Sequence, residues 1–339
     1  MRDNKPTSLD IAHRAGVSQP TVSRALRNSP LVSAETRARV QAIARELNYK
    51  VDVSARNLRS KRTKTLAVLL CEDPGSGAAA INPFFLSMLG SITHAAARVG
   101  YDVLISFQQL SDDWNADYQD SNKADGIIFL GYGDYSSYIQ KISALDEAGA
   151  HFITWGPVIP GQPGHFIGCN NQQGGFDATQ HLVSTARSAI AFIGDVSNDH
   201  PEFMERYHGY SDALTQHKLP IRETLQIGAE SSEQSGYGAC QKLLDTGERF
   251  DAIFCASDLI AIGAIKALKE TGLLVPKDVA VVGFDDIPTA KYMSPALTTV
   301  DQNVLQAGGI LVDNLLQLIN GEQIASELLP TQLVVRESS

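Results

Sequence analysis

The stretch Ser8–Asn48, SLDIAHRAGVSQPTVSRALRNSPLVSAETRARVQAIARELN, decides how the front of the chain folds. It reads as three short helices, each with a start signal. Ser8 is a candidate cap for the first, and Gly16 suits the left-handed turn that ends it. Ser18 is placed to cap the second, with Pro20 in the first turn, where a missing N–H costs nothing. Ser33 is placed to cap the third, which runs toward Asn48. Ile11, Ala12, Ala15, Val17, Val22, Leu26, Val40, Ile43 and Leu47 fall at helical spacings and can share one small core. The outward positions of the second helix are Gln19, Thr21, Ser23 and Arg24. Short hydrogen-bonding side chains plus one guanidinium suit a helix that reads base edges with its N-terminal end.

The charge distribution agrees. The 339 residues carry a formal net charge of −10, which taken alone argues against a DNA binder. Residues 1–64, however, hold 14 Lys and Arg against 5 Asp and Glu, or +9, and the remainder carries −19. A basic head on an acidic body confines phosphate binding to the head. The four cysteines, Cys71, Cys169, Cys240 and Cys255, match no metal spacing and read as buried free thiols suited to a reducing cytoplasm. No apolar run reaches the ~18 residues of a membrane span, and the polar N-terminus lacks a signal-peptide core. The expectation is a soluble bacterial protein of the cytoplasm, associated with the nucleoid, with no membrane partner, no metal and no cofactor.

The pattern A-G-V-S-x-x-T-V-S-R-x-L, at Ala15–Leu26, resembles the helix-turn-helix of the LacI/GalR family of transcription regulators. The resemblance implies DNA contacts from Ser18, Gln19, Pro20, Thr21, Ser23, Arg24, Arg27, Asn28 and Tyr49. Gln19 and Pro20 occupy the family's main base-discriminating positions. Proline offers no polar contact, so specificity falls more on Gln19 and Arg24. Arg27 displaces the asparagine usual after this helix and adds a candidate phosphate contact.

Residues 50–64, KVDVSARNLRSKRTK, are basic and weakly apolar. Ala55–Leu58 is similar to the family's hinge helix, A-R-x-L. Leu58 is the one large apolar side chain among Arg56, Arg59, Lys61 and Arg62, and it has no local core to join. A leucine in that setting is suited to wedge between base pairs in the minor groove. A helix of about two turns is below the length that is stable alone in water, so a linker is expected without DNA.

From Thr65 apolar strands alternate with helices: Thr65–Leu70, Tyr101–Phe107, Gly126–Leu130, His151–Trp155, Phe166–Cys169, Ala189–Gly194, Ala252–Ala256 and Val279–Phe284. Such runs indicate parallel sheets covered on both faces. About 275 residues is long for one doubly wound sheet, so two lobes are expected. The body resembles the family's sugar-binding core, which has the fold of type I periplasmic binding proteins. The matching pieces are NPFF at Asn82–Phe85, DGIIFLG at Asp125–Gly131, RYHGY at Arg206–Tyr210, FCASDLIAIGA at Phe254–Ala264, VPKDVAVVGFDD at Val275–Asp286 and PALTTVDQ at Pro295–Gln302. The fold class is therefore an all-α helix-turn-helix head plus a two-lobed α/β core. The expected divisions are a head at 1–50, a hinge at 51–64, a first lobe at 65–168 and 295–325, and a second lobe at 169–294 and 326–339.

Ligands of two-lobed α/β proteins lie between the lobes, beyond the carboxyl ends of strands. That rule selects Phe84 and Phe85 after the first strand, Trp155, His200, Arg206, Asp258 and Asp285. Carboxylates and a guanidinium hydrogen-bond hydroxyl pairs, and aromatic faces cover the apolar side of a sugar ring. The resemblance implies effector contacts from Arg206 and Asp285, a similar role for Asp258, and pocket positions for Phe84 or Phe85, Trp155, His200 and Glu202. The structural alternatives are Asp258 as a helix cap, Arg206 in a surface ion pair with Glu202 or Glu205, Asp285 as a turn residue, and the aromatics as core. Asn170-Asn171 stands where many relatives have Asp-Asn.

The function expected from these residues is repression of carbohydrate-utilisation genes by a dimer on a pseudo-palindromic double-stranded operator, controlled by a sugar or sugar-phosphate effector. The chain stops after QLVVR without a heptad tail, which favours a homodimer over a tail-built tetramer. The rival readings are a periplasmic-type sugar-binding protein without regulatory role and a nucleobase- or nucleoside-responsive regulator of the same family. An enzyme is a third, resting on Gly131-Tyr132-Gly133, a glycine pair without the third glycine of a dinucleotide site.

Overall fold

A computed structural model describes residues 6–49, 62–71, 81–131 and 135–339. The chain divides into two compact units, Met1–Thr63 and Lys64–Ser339. The hinge positions Arg56 and Leu58 lie outside the described residues.

The head holds α1 (Ser8–Ala15), α2 (Gln19–Leu26) and α3 (Ala34–Glu46). The first start signal lies one residue earlier than expected. Thr7, not Ser8, caps α1: its hydroxyl accepts from the Asp10 amide while Asp10 accepts from the Thr7 amide at 2.7 Å. This is a capping box, for which a carboxylate three residues on is the signature. Gly16 ends α1 at φ 64°. Ser18 holds the cap position of α2, but its hydroxyl pairs with Thr21 Oγ1 at 2.9 Å instead of a backbone amide. Ser33 caps α3 through the Thr36 amide. Ile11, Ala12, Ala15, Val22, Ala25, Val32, Val40 and Ala44 form the buried centre, with Val17, Leu26, Ile43, Leu47 and Tyr49 around it.

The second unit contains two parallel sheets. The first runs in the order β2 (Asp102–Phe107), β1 (Thr65–Leu70), β3 (Gly126–Leu130), β4 (Phe152–Trp155), β5 (Phe166–Cys169), β11 (Glu327–Leu329). The second runs β7 (Gln226–Ile227), β6 (Ile190–Ile193), β8 (Ala252–Cys255), β9 (Ala280–Val282). A short antiparallel pair, β10 (Thr299–Asp301) with β12 (Gln332–Val334), lies beside β9 through the Gly283 amide to Thr298 and the Asp285 amide to Val300. The sequence spacing anticipates the long strands and misses the short β7, β10 and β11, which are too brief to carry a pattern. β11 also corrects a boundary. The segment 326–339 is expected in the second lobe, yet Glu327–Leu329 pairs with Ile167–Cys169 of the first sheet. β2 departs from the two-faced burial expected of a parallel strand: it is an edge, and Leu104 and Ile105 are exposed.

Helices α4 (Pro83–Arg98) and α10 (Val304–Ile319) pack together on one face of the first sheet, and α5 (Tyr135–Glu147) helps cover the other. Around the second sheet, α6 (Asn171–Ser184) pairs with α7 (Pro201–Gln216), and α8 (Glu233–Asp245) with α9 (Asp258–Glu270). Both pairs meet backbone to backbone. A Cβ on Gly209 of α7 would overlap the Gln172 carbonyl and the Phe176 amide of α6, and one on Gly175 would overlap the Arg206 carbonyl. Gly236 and Gly263 do the same for α8 and α9. Only glycine allows this approach, and it brings the start of α6 within reach of the Arg206 side chain.

Candidate functional site

Gln19 opens α2 and is half-buried; its side-chain amide donates to Ser8 Oγ at 2.8 Å. Pro20 and Arg24 are exposed. Ser18 and Thr21 share the hydroxyl pair already noted. Ser23 is gripped by Arg27, whose Nε donates to the Ser23 carbonyl and Nη2 to its hydroxyl, both at 3.1 Å. Asn28 takes the left-handed position after α2, φ 59°, and accepts from Gln41 at 2.8 Å. Tyr49 packs half-buried against the head's core, and its amide closes onto the Ala44 carbonyl at 2.8 Å.

In the core, the carboxyl ends of the second sheet converge on one guanidinium. Arg206 is 4% exposed. Its Nε donates to Asn171 Oδ1 at 2.8 Å and its Nη1 to the Ala256 carbonyl at 2.5 Å. Nη1 stands 3.6 Å from Asp285 Oδ1, and the guanidinium carbon lies 3.8 Å from the Phe284 ring centroid and 5.3 Å from that of Phe203. Asp285 Oδ1 accepts from Gln302 Nε2 at 2.5 Å; Gln302 Oε1 accepts from the Cys169 thiol at 3.1 Å; the thiol also reaches Asn171 Oδ1 at 3.4 Å. Arg206, Asn171, Cys169, Gln302 and Asp285 thus close into a ring of side chains drawn from α7, α6, β5, the segment after β10 and the turn after β9. The surface ion pair that offered an alternative for Arg206 is excluded by this burial.

Among the described residues the hydrogen bonds of this ring use Nε and Nη1 of Arg206 and Oδ1 of Asp285. A guanidinium set 3.6 Å from a carboxylate places a donor group beside an acceptor group, the pairing that two neighbouring hydroxyls satisfy. The Asp285 backbone is held at φ 120° and that of Asp286 at φ 47°. A non-glycine residue in that region is strained, and such strain collects at ligand sites. Arg336 holds Asp286 Oδ1 at 2.6 Å.

Carboxylates outnumber cations here. Burial pushes Glu202 up to about 7, with Arg206 opposing. Burial likewise raises Glu205, against a hydrogen bond from Asn171 and the charge of Arg206. Burial lifts Asp285 to about 6, opposed by Arg206 and then Gln302. Burial pushes the Cys169 thiol up to about 12, so it stays protonated and donates. The Asp285 carboxyl therefore binds its proton more tightly in the folded state than in the unfolded chain. Its contribution to stability is fully present below pH 4 and is lost as pH rises toward 6. Replacing Asp285 by Asn is expected to remove that part of the fall. Melting temperatures of both proteins from pH 4 to 7 check it: the variant should gain on the parent as pH rises, and parallel curves would contradict it.

Asp258 has a different role from the expected one. It is wholly buried, Oδ1 accepts from Thr299 Oγ1 at 2.5 Å, and Oδ2 accepts from the Ile287 amide at 2.9 Å. Burial, reinforced by the charge of Asp285, holds its carboxyl well above the usual range. Nor does its side chain cap α9; Ser257 does, through the Ile260 amide. Asp258 braces the turn that carries Asp285.

His200 precedes α7, stacks on Phe203 at 5.8 Å and stands 3.7 Å from Asp195. Phe84 and Trp155 are buried with centroids 6.1 Å apart, and the half-buried Phe85 meets Phe84 edge to face. These three belong to the first lobe. Asn82, which caps α4 on the Phe84 amide, extends its amide nitrogen toward Ser231, and Ser231 donates to Ser257 at 2.9 Å. That polar chain runs from the start of α4 to the start of α9, next to the Ala256 carbonyl that Arg206 holds. Asn171, Gln302 and Cys169 are absent from the residues picked as effector contacts. Gln302 ends the quoted motif Pro295–Gln302, but nothing local marks an amide that acts across 17 residues.

A family model for bacterial regulatory proteins of the lacI family matches residues 7–52, and one for a periplasmic binding protein-like domain matches residues 179–339. The HTH-type transcriptional regulator CelR of Thermobifida fusca is 32% identical over 99% of both chains. The chain belongs to the LacI family. Another LacI-family relative, the HTH-type transcriptional regulator AscG of Escherichia coli, is 31% identical over 93% of this chain and 92% of its own. Among solved structures, the lac repressor dimer bound to operator and the anti-inducer ONPF superimposes with a TM-score of 0.82 at 27% identity, covering 99% of each chain. A transcriptional regulator CelR–cellobiose complex gives 0.73 at 31% identity, covering 98% of this chain and all of that one. This LacI-family chain is a DNA-binding transcriptional regulator, and its family consists of such regulators rather than enzymes. Among the described residues no helix is long and apolar enough to cross a membrane, and no cluster of His, Cys, Asp and Glu is arranged to hold a metal.

Proposed function

We propose that this regulator represses carbohydrate-utilisation genes as a cytoplasmic, nucleoid-associated homodimer, and that a sugar or sugar phosphate bound between the lobes sets its grip on DNA. The observation that carries the reading is the buried Arg206 guanidinium standing 3.6 Å from the Asp285 carboxylate, a donor group beside an acceptor group suited to a hydroxyl pair. Phe84, Phe85 and Trp155 supply aromatic surface from the first lobe, Glu202 sits on α7 within the field of the Arg206 charge, and His200 immediately precedes that helix. The cellobiose in the related CelR complex supports a saccharide. An effector acts only through its different affinities for two lobe arrangements, so DNA affinity must change by the same coupling.

The test is a thermal-shift screen of the full chain with neutral sugars and sugar phosphates, because a ligand of the native state raises the melting temperature. A compound that stabilises the core must also change binding to a palindromic duplex. Stabilisation without any change in DNA affinity would reduce the chain to a binding protein.

The hinge gives a second expectation. Leu58 from each protomer inserts at the centre of the operator. Leu58→Ala is expected to weaken operator binding by roughly tenfold per protomer, the free energy of burying one leucine. Effector affinity, read by the same thermal shift, should not move. Equal operator affinity in variant and parent removes the wedge.

A further inference from the structure

The contact between Ser8 and Gln19 is unexplained by the fold of the head. Ser8 is the first residue of α1 and Gln19 the first of α2. The Gln19 amide nitrogen donates to Ser8 Oγ at 2.8 Å, across 11 residues of sequence. Ser8 has no capping duty to account for its hydroxyl, since Thr7 and Asp10 cap α1 between them.

We infer that Ser8 is a positioning residue for base readout: it fixes the Gln19 carboxamide so that the head selects adenine at the base pair Gln19 faces. The inference rests on the reading of α2 as the helix that enters the major groove. The carboxamide has two N–H donors and one carbonyl acceptor. The bond to Ser8 takes one N–H. An N–H and the carbonyl oxygen remain, and together they match adenine N7 and N6 in a bidentate pair. Guanine presents two acceptors there, N7 and O6, and leaves the carbonyl facing an acceptor.

A free glutamine has three torsions to settle and can turn its amide over to suit either purine. One tied to Ser8 is ordered before DNA arrives, and with its nitrogen on the Ser8 hydroxyl it presents one N–H and its carbonyl oxygen for readout. The rest of α2 narrows the choice further. The Ser18 and Thr21 hydroxyls engage each other, and Ser23 is held by Arg27. Pro20 has only an apolar ring to offer, suited to a thymine methyl. Gln19 is then the residue of this face with a fixed donor and acceptor, and Arg24 its exposed cation.

The experiment uses the full chain and a randomised palindromic duplex pool, followed by titration of the selected duplex and its single-pair variants. The wild type should select an A·T pair at one symmetric position and lose roughly tenfold or more when that pair is G·C. Gln19→Ala should lose that preference and no other. Ser8→Ala should lose most of it, with unchanged affinity for random duplex and an unchanged salt slope. Ser8→Thr, which keeps a hydroxyl, should restore it. The double variant Ser8→Ala/Gln19→Ala should discriminate no worse than Gln19→Ala alone. Full discrimination in Ser8→Ala, an equal loss on every duplex, or a Gln19-dependent pair other than A·T overturns the inference while leaving the regulator intact. Failure of the wild type to select any duplex overturns the regulator reading and this inference with it.

Discussion

Arg206→Ala is expected to give a regulator that binds its operator and no longer answers its effector. The side chain is the hub of the ring on the second sheet: two charge-assisted hydrogen bonds hold it to Asn171 and Ala256, and Asp285 lies beside it. A charged hydrogen bond contributes about 1.5–3 kcal/mol, so losing the bonds offered to a bound hydroxyl costs roughly ten- to a hundredfold in effector affinity. Alanine also removes the cation that lowers Asp285 and Glu202. Both carboxyls then hold their protons to higher pH and donate where they should accept. Taking one partner from a buried pair costs about 3–5 kcal/mol of stability when the other stays charged; protonation of Asp285 limits that loss. Arg206→Lys keeps the charge without the planar fork and cannot serve Asn171 and Ala256 together, so it should recover stability before response. Calorimetric titration with a stabilising sugar, beside operator binding in its presence and absence, reads both effects. An ordinary response in Arg206→Ala would take the residue out of the pocket.

Why Arg206 could be picked out from sequence, and its supports could not, follows from distance along the chain. Arg206, Asp258 and Asp285 each follow a strongly apolar strand, so the strand-end rule selects them. Which of them faces a ligand is decided by residues far away. Thr299 and the Ile287 amide hold both oxygens of Asp258 and turn it into a brace, whereas Asp285 is held by Gln302 beside the Arg206 guanidinium. No periodicity records such pairings. The same limit operates in the head. Its three helices and most of its core are legible because helical spacing and the αL glycine at Gly16 are local signals. Thr7 as the cap was legible too, through Asp10 three residues on, but Ser8 lies one position away and has the same chemistry. The bond from Gln19 to Ser8 joins two helices and leaves no mark in either. Short strands fail for a different reason. Glu327–Leu329 is exposed at two of its three positions, so its pairing with β5 rests on backbone hydrogen bonds and not on apolar pattern.

The largest structural effect is expected from a single methyl group at the crossing of α6 and α7. Gly209→Ala places a Cβ on the Gln172 carbonyl and the Phe176 amide, which are backbone atoms and cannot turn aside as a side chain would. The helices must separate. Overpacking a tight contact costs typically 1–3 kcal/mol, and with backbone on both sides the upper end applies. For a unit of this size about 3 kcal/mol lowers the melting temperature by roughly 6–12 °C. The damage reaches the effector site, because the Nε bond from Arg206 to Asn171 spans the same crossing and already sits at 2.8 Å. Effector affinity should therefore fall with stability, while the separate head still binds DNA. Gly238→Ala is the control: it lies in α8 with nothing within 4 Å of the added Cβ. Glycine is disfavoured in a helix interior, so that change should be neutral or stabilise by about 0.5–1 kcal/mol. Equal melting temperatures for Gly209→Ala and the parent would mean that α6 and α7 do not meet this closely, and the route by which α6 steadies Arg206 would have to be given up.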